Sequence, residues 1–453
     1  MNYCQRFIAA LLTLIKSSVT GTEPRSSASG VGTFGIPPNS TSSSAGAPVT
    51  RDDGMSGGTL PVLGAVRIFL VGDVMLGRGV DQILKYHVDP TLYEDYVKDA
   101  RDYVSLAVSE NGPLPTDRSV DYIWGDAIRI LNEMKPDLRV INLETAVTTA
   151  STPWPRKGIH YRMHPKNVEV LSAAGIDCCV LSNNHVLDWG YEGLTESLET
   201  LRAAGIASVG AGSDLAEAAE PAIFPILPRR SPSPAAAAAT EGGGSSTPDS
   251  AGRILVYGLG HYSSGVPSAW AASQNQSGVN YFELNSEEHL ARLRASIQHH
   301  RRPSDLVIVS IHWGSNWDWD VERSHQRFAH KLIDEFQVDL IHGHSSHHIK
   351  GVEVHHGRLI LYGCGDFLSD YEGIGPGLRQ QRDDVSFMYF VDLLPESGAL
   401  SRLQMVPMRL KRMQVRQATG PDRQWLWDNM SREVGRHNLQ LNDTGDGGFR
   451  LVF

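Results

Sequence analysis

Nine of the 18 histidines fall between His312 and His356, and three of them, His342, His344 and His347, share one turn with His348 beside them. Imidazole nitrogens suit Zn, Fe and Mn, while harder divalent cations add carboxylate and amide oxygens. Oxygen donors of that kind stand in Gly72-Asp73, in Asn142-Leu143-Glu144 and in Asn183-Asn184-His185, and another His follows at position 312. Taken singly, each has a plainer role: Asp73 could cap the next helix, and a lone Asn or His closes many turns. Together they are the donor set of a divalent-metal centre.

Each donor closes the same kind of segment, a short apolar and largely β-branched run. The runs are 66–71, 138–141, 178–181, 306–311 and 338–341. Short apolar runs bounded by turn residues read as buried strands, and α/β sheets gather their sites beyond the carboxyl ends of such strands. Five strand ends therefore predict one site, with Gly343 read as a tight backbone turn inside it. Helical stretches at 127–134, 165–174, 195–204, 287–300 and 324–336 alternate with the runs, which predicts an α/β fold. From about 376 the rhythm changes to strand-like segments without helices (385–393 and 403–410), a late hairpin or second sheet. Trp425 and Trp427 mark a C-terminal helical extension, 416–453, packed on a domain spanning 64–415.

Two tracts lack any apolar period. Residues 1–63 are rich in Ser, Thr, Gly and Pro and read as a disordered arm, and 229–252 reads as an exposed insertion within the domain. The apolar stretch 7–15 has the length of a signal h-region and is too short to span a bilayer. Lys16 directly after it, with no small-x-small cleavage site nearby, favours the cytoplasm over secretion, and no other segment is long enough to cross a membrane. A net charge of −10 with 20% charged residues disfavours nucleic acid, whose phosphates need clustered Lys and Arg. The four cysteines form no disulfide framework, and the adjacent pair Cys178-Cys179 falls in a strand whose successive side chains point to opposite faces.

In combination and order, GDVMLGR (72–78), NLETAV (142–147), LSNNHVLDWG (181–190), HWGSNWDW (312–319), GHSSHH (343–348) and LILYGCGDFLSDYEGI (359–374) resemble the CapA capsule-synthesis family. That family is associated with poly-γ-glutamate biosynthesis and belongs to the calcineurin-like metallophosphatase superfamily. The resemblance covers residues 66–410 without the insertion. It implies a metallophosphatase-type four-layer α-β-β-α sandwich, two mixed sheets flanked by helices. It implies Asp73, Glu144, Asn184, His312, His344 and His347 as metal ligands, with Glu144 where the superfamily has a bridging Asp. His185 becomes the catalytic residue that protonates the leaving group or steadies the attacked centre. The implied cofactor is one or two divalent ions, Mn, Fe or Zn. The implied chemistry is hydrolysis of a phosphoester or a γ-glutamyl amide by a metal-bound hydroxide.

Three positions depart from the superfamily pattern. Met75 stands where a His usually follows the first Asp, so one ion would lose a nitrogen ligand. His344 and His347 have two residues between them where the pattern is His-x-His, which His342 and His344 supply instead. Glu144 lengthens the bridging side chain by one methylene. Arg156 and Lys157, on the loop after the Glu144 strand, offer positive charge to an anionic small molecule or a polyglutamate-like chain. Trp313, Trp317 and Trp319 could wall the pocket or pack as core. A non-catalytic accessory of polyglutamate assembly or export, and a soluble relative recruited to unrelated metabolism, are the competing readings.

Overall fold

The computed structural model describes residues 64–227, 252–374 and 381–453, so the arm and nearly all of the insertion lie outside the described residues. Strands are numbered in chain order. The larger sheet runs β19 (Gln440–Asp443), β20 (Phe449–Val452), β17 (Leu400–Leu410), β16 (Val385–Leu393), β1 (Val66–Val74), β2 (Leu138–Leu143), β5 (Cys178–Val180), β6 (Ala207–Val209). Two short strands join it, β15 (Asp366–Leu368) beside β1 and β18 (Val415–Gln417) beside β17. From β1 to β6 the pairing is parallel, whereas β16, β17 and β20 are antiparallel. The second sheet runs β13 (Val352–His355), β14 (Arg358–Leu361), β12 (Leu340–His344), β11 (Leu306–His312), β9 (Arg253–Gly260), β8 (Ala222–Pro225), with a parallel centre. Two-residue strands make two further pairs, β3 (Ala146–Val147) with β4 (Arg162–Met163) and β7 (Ala211–Gly212) with β10 (Gly278–Val279).

Strand alternation sorts the apolar side chains into separate cores. Val66, Ile68 and Leu70 of β1 share one cluster with Ile254 and Val256 of β9, Leu306 and Ile308 of β11 and Leu340 of β12, so the inner faces of the two sheets meet there. Phe69 and Val71 join Ile130, Leu171 and Leu201 from helices Asp126–Met134, Glu169–Ala173 and Gly190–Ala203. Val307, Val309 and Ile341 join Leu293 and Leu332 from helices Glu287–His300 and Arg323–Phe336. The adjacent cysteines follow the same rule, Cys178 in the inter-sheet cluster and Cys179 in the helix-facing one.

The predicted change of rhythm after 376 is the antiparallel pair β16–β17. The C-terminal segment is more than helical: after helix Gly420–Gly435 the hairpin β19–β20 extends the larger sheet through β17, and residues 415 and 416 both lie within β18. Edge strands this short and polar (Gln440–Asp443) carry little apolar period to read.

Candidate metal centre

Asp73 reaches the inter-sheet side because β1 breaks its alternation. Val71 and Val74 both belong to the helix-facing core, and the register against β2 shifts between Leu70 and Asp73. Bulges of this kind re-aim a side chain at a strand end. In the resulting register Asp73 lies beside Asn142 on β2 and Asp366 on β15. Gly72 permits this, since a Cβ there would stand 1.8 Å from Gly365 O.

On the facing sheet, His312 and His344 are register partners at the ends of β11 and β12, and Ser310 pairs with His342 two residues earlier. Gly343 is required here, but not for a turn: β12 runs straight through it, and a Cβ would sit 2.5 Å from Tyr362 O. Ser345 N donates to Asp73 Oδ2 at 3.3 Å across the two sheets.

One atom each from Asp73, His312 and His344 lie within 4.8 Å of one another, and so do atoms of Asp73, His347 and Asp366. Both groups are buried and share Asp73. Asp366, which supplies the second carboxylate, is a residue that the sequence reading passed over. Met75 belongs to neither group; it is buried, with its Sδ accepting from Gly77 N at 3.1 Å.

A hydrogen-bond relay sets the His344 ring. The Val71 carbonyl can only accept, so His342 carries its proton at Nε2, 2.8 Å away. His342 Nδ1 then accepts from Ser310 Oγ at 2.9 Å, and that oxygen accepts from His344 Nε2–H at 3.0 Å. The lone pair of His344 Nδ1 is thereby turned to the centre, 2.8 Å from His312 Nδ1. Outer partners of metal-ligating imidazoles commonly fix the tautomer in this way. His342, one of the alternatives for the terminal pair, thus has both nitrogens engaged behind the donors.

The charges suit a cation. Burial and the nearby Asp366 push Asp73 up to about 7, and burial with Asp73 and Asp366 pushes Glu144 well above the usual carboxylate range. Burial drives His312 and His344 well below the ordinary imidazole value, so both are neutral donors. His347 goes the other way: burial opposes its charge, but Asp366, 2.9 Å from its Nδ1, raises it to about 9. Carboxylates crowded in a dry site beside the neutral His312 and His344 imidazoles are a mixed N/O set suited to a borderline divalent ion, and His347 would give up its extra proton on joining it.

Residues 67–371 match the family described as bacterial capsule synthesis protein PGA_cap. The chain belongs to that family. Among curated proteins, this PGA_cap member is 40% identical over 388 residues to a Mycobacterium tuberculosis protein named "Probable polyglutamine synthesis accessory protein", covering 85% of this chain and 96% of the relative. It is also 22% identical over 339 residues to the "PGA biosynthesis protein CapA" of Bacillus subtilis (75% and 70% covered). With the "Capsule biosynthesis protein CapA" of Bacillus anthracis it shares 21% over 372 residues (82% and 74%).

The remaining predicted residues of this PGA_cap chain flank the two groups. Asn184 Oδ1 is 3.1 Å from His312 Nε2, and Glu144 Oε1 lies 3.7 Å from the same atom and 4.0 Å from His185 Nε2. His185 Nδ1 is 2.6 Å from Asp188 Oδ2 and 3.2 Å from Lys157 Nζ. An imidazole nitrogen cannot donate to one and accept from the other at once, and the shorter contact to an acceptor-only carboxylate places the proton on Nδ1. Burial lowers His185 to about 4, leaving it neutral with its Nε2 lone pair toward Glu144. Its ring stacks on Tyr161 at 3.9 Å, and Tyr161 OH meets Tyr371 OH at 2.8 Å. Behind Tyr161, the buried Arg78 is held by Asp370 and Glu94. Lys157 turns inward onto Asp188 Oδ1 at 2.6 Å, whereas Arg156 on the same turn is exposed with φ 60°. Trp317 packs on His347, ring centroids 4.9 Å apart, while Trp313 is buried against His325. Among the described residues no helix is long and apolar enough to cross a membrane.

Proposed function

We propose that this chain is a metal-dependent hydrolase of the CapA type, acting on a phosphoester or a γ-glutamyl amide in the handling of a polyglutamate-like polymer. The observation that carries this is the pair of buried donor groups sharing Asp73, with the His185–Asp188 dyad on their flank. The two inner-facing sheets with helices on their outer faces support a metallophosphatase-type four-layer arrangement. Asp73, His312 and His344 would hold one Mn, Fe or Zn ion, and Asp73, His347 and Asp366 a second, with Glu144 and Asn184 as further donors.

Ions held there supply Lewis acidity toward a phosphoryl or carbonyl oxygen and toward water. The protein's own part falls to His185. Asp188 keeps its proton on Nδ1, Tyr161 fixes the ring plane, and Nε2 accepts a proton from the attacking water and returns it to the leaving atom. His185 and Lys157 together hold Asp188 ionised, and Lys157 with the exposed Arg156 adds positive charge on the approach of an anionic substrate. The name of the Mycobacterium relative, an accessory protein, favours a second reading in which the centre binds without turnover.

The deciding experiment counts metal per chain in the wild type and in His344→Ala/His347→Ala, then screens phosphoesters and γ-glutamyl amides with the metal-loaded wild type and His185→Ala. One or two ions lost in the double variant, with turnover lost in His185→Ala at unchanged metal content, support the hydrolase. Bound metal without turnover on either class supports the accessory reading. A protein that takes up no Mn, Fe or Zn refutes the metal-dependent reading.

A further inference from the structure

Three imidazoles and two carboxylates converge at a place the proposed reaction does not use, the junction of helix Arg323–Phe336 with the β13–β14 hairpin. His330 and Asp334 are four residues apart and so share one face of the helix. Glu353 and His355 are two apart and share one face of β13. His356 follows in a two-residue turn with Gly357, both at positive φ (48° and 76°). That conformation costs a residue with a side chain something, and Asn or Gly would be the usual occupant of the position.

The side chains meet closely. His330 Nε2 is 2.7 Å from Glu353 Oε1, and His355 Nε2 and His356 Nδ1 are each 2.9 Å from Asp334 Oδ1. The His330 and His355 rings stack at 3.9 Å with 5° between their planes, and His356 stacks on His355 at 4.1 Å. Tyr362 OH donates to the other Glu353 oxygen at 2.7 Å, with His437 Nδ1 3.6 Å from that same oxygen, which leaves Oε1 to His330. One atom each from His330, Glu353 and His355 fall within 4.8 Å of one another, as do atoms of Asp334, His355 and His356. A cavity of about 560 Å³ lined in part by Asp334, His356 and Arg358 opens beside them.

We propose that this junction is a second divalent-cation site, taking a borderline ion such as Zn²⁺ and tying the helix to the hairpin. Each of the two groups, two imidazoles with one carboxylate, is a mixed N/O set for such an ion, and His355 belongs to both. The site is separate from the buried centre. His355 pairs with Arg358, next to Leu359, which stands beside Leu340 at the start of β12, and His344 ends that strand four residues on, about 13 Å away at ~3.3 Å per residue. The proposal is independent of the hydrolase reading.

The test is equilibrium dialysis of chelator-stripped full-length protein against Zn²⁺, with bound metal counted. The variants are His344→Ala/His347→Ala for the buried centre, and His330→Ala/His355→Ala and Asp334→Asn/His356→Ala for the junction. The expected result is one Zn²⁺ fewer than wild type in either junction variant, and one Zn²⁺ retained by the buried-centre variant. The last junction pair is exposed, so its loss is readable even if the first pair perturbs folding. Wild-type stoichiometry in both junction variants overturns the site. Loss confined to His344→Ala/His347→Ala would leave the buried centre standing alone.

Discussion

One methyl group on Gly72 should dismantle the buried centre without altering a single donor. The Cβ of Gly72→Ala would lie 1.8 Å from Gly365 O and 2.9 Å from its carbonyl carbon, where ordinary contact begins at 3.4 Å. Relief requires the end of β1 and the segment before β15 to part by about 1.6 Å, the difference between those distances. Both atoms of the collision are backbone, so no rotamer change absorbs it. The same movement stretches the 3.0 Å bond from Asp73 N to Gly365 O and carries Asp73 away from Asp366, the residue after Gly365. Overpacking of a tight interior costs about 1–3 kcal/mol, and a misplacement near 1 Å at a reacting centre costs roughly 10²-fold in rate. Thermal unfolding and metal counting read the two effects. Gly435→Ala, where nothing lies within 4 Å of the added Cβ, is the control. Gly72→Ala binding as much metal as the control and unfolding at the same temperature would show that the Gly72–Gly365 contact does not set the centre.

Asp366→Asn should reduce bound metal by about one ion and leave the ion held by Asp73, His312 and His344; unchanged stoichiometry would remove Asp366 from the donors. Asp392→Ala should destabilise the fold by about 3–5 kcal/mol in denaturant titration, because Arg67 Nε and Nη2, 2.7 and 2.8 Å from the Asp392 oxygens with both side chains fully buried, would keep their charge without its main counterion. Arg67→Met/Asp392→Leu should recover most of that loss. Replacing 228–251 by a short Gly-containing turn should leave the unfolding midpoint unchanged, since Pro225 pairs with Arg253 and Ile226 N bonds Gly252 O at 2.9 Å, holding the two ends together. A broadened or lowered transition would show that the fold depends on the replaced residues.

What could be read from the sequence was whatever announces itself within a few residues. The apolar runs ending at Asp73, Glu144, Asn184, His312 and His344 are long enough to mark strands, and their donors follow at once. Asp366 escaped because Gly363-Cys364-Gly365 separates it from its run, and only pairing with β1, nearly three hundred residues earlier, brings it beside Asp73. Asp188 escaped for the opposite reason: three residues after His185 and just before a helix, it resembles an ordinary helix-start carboxylate.

His342 shows where local periodicity runs out. His342 and His344 are two apart, so alternation puts both on the inter-sheet face, and nothing within β12 ranks one above the other. The neighbouring strand does. Register sets a hydroxyl, Ser310, beside His342 and an imidazole, His312, beside His344. The hydroxyl can pass a hydrogen bond along, and the imidazole can share an ion, so one histidine becomes the orienting residue and the other a candidate donor. The same logic explains why the centre lies where the two sheets face each other. The larger sheet supplies carboxylates at the ends of β1 and β2 and at the start of β15, and the second sheet supplies imidazoles at the ends of β11 and β12. The two donor groups sharing Asp73 draw their carboxylates from the larger sheet and their imidazoles from the second, so that mixed N/O set comes together only where the sheets pack.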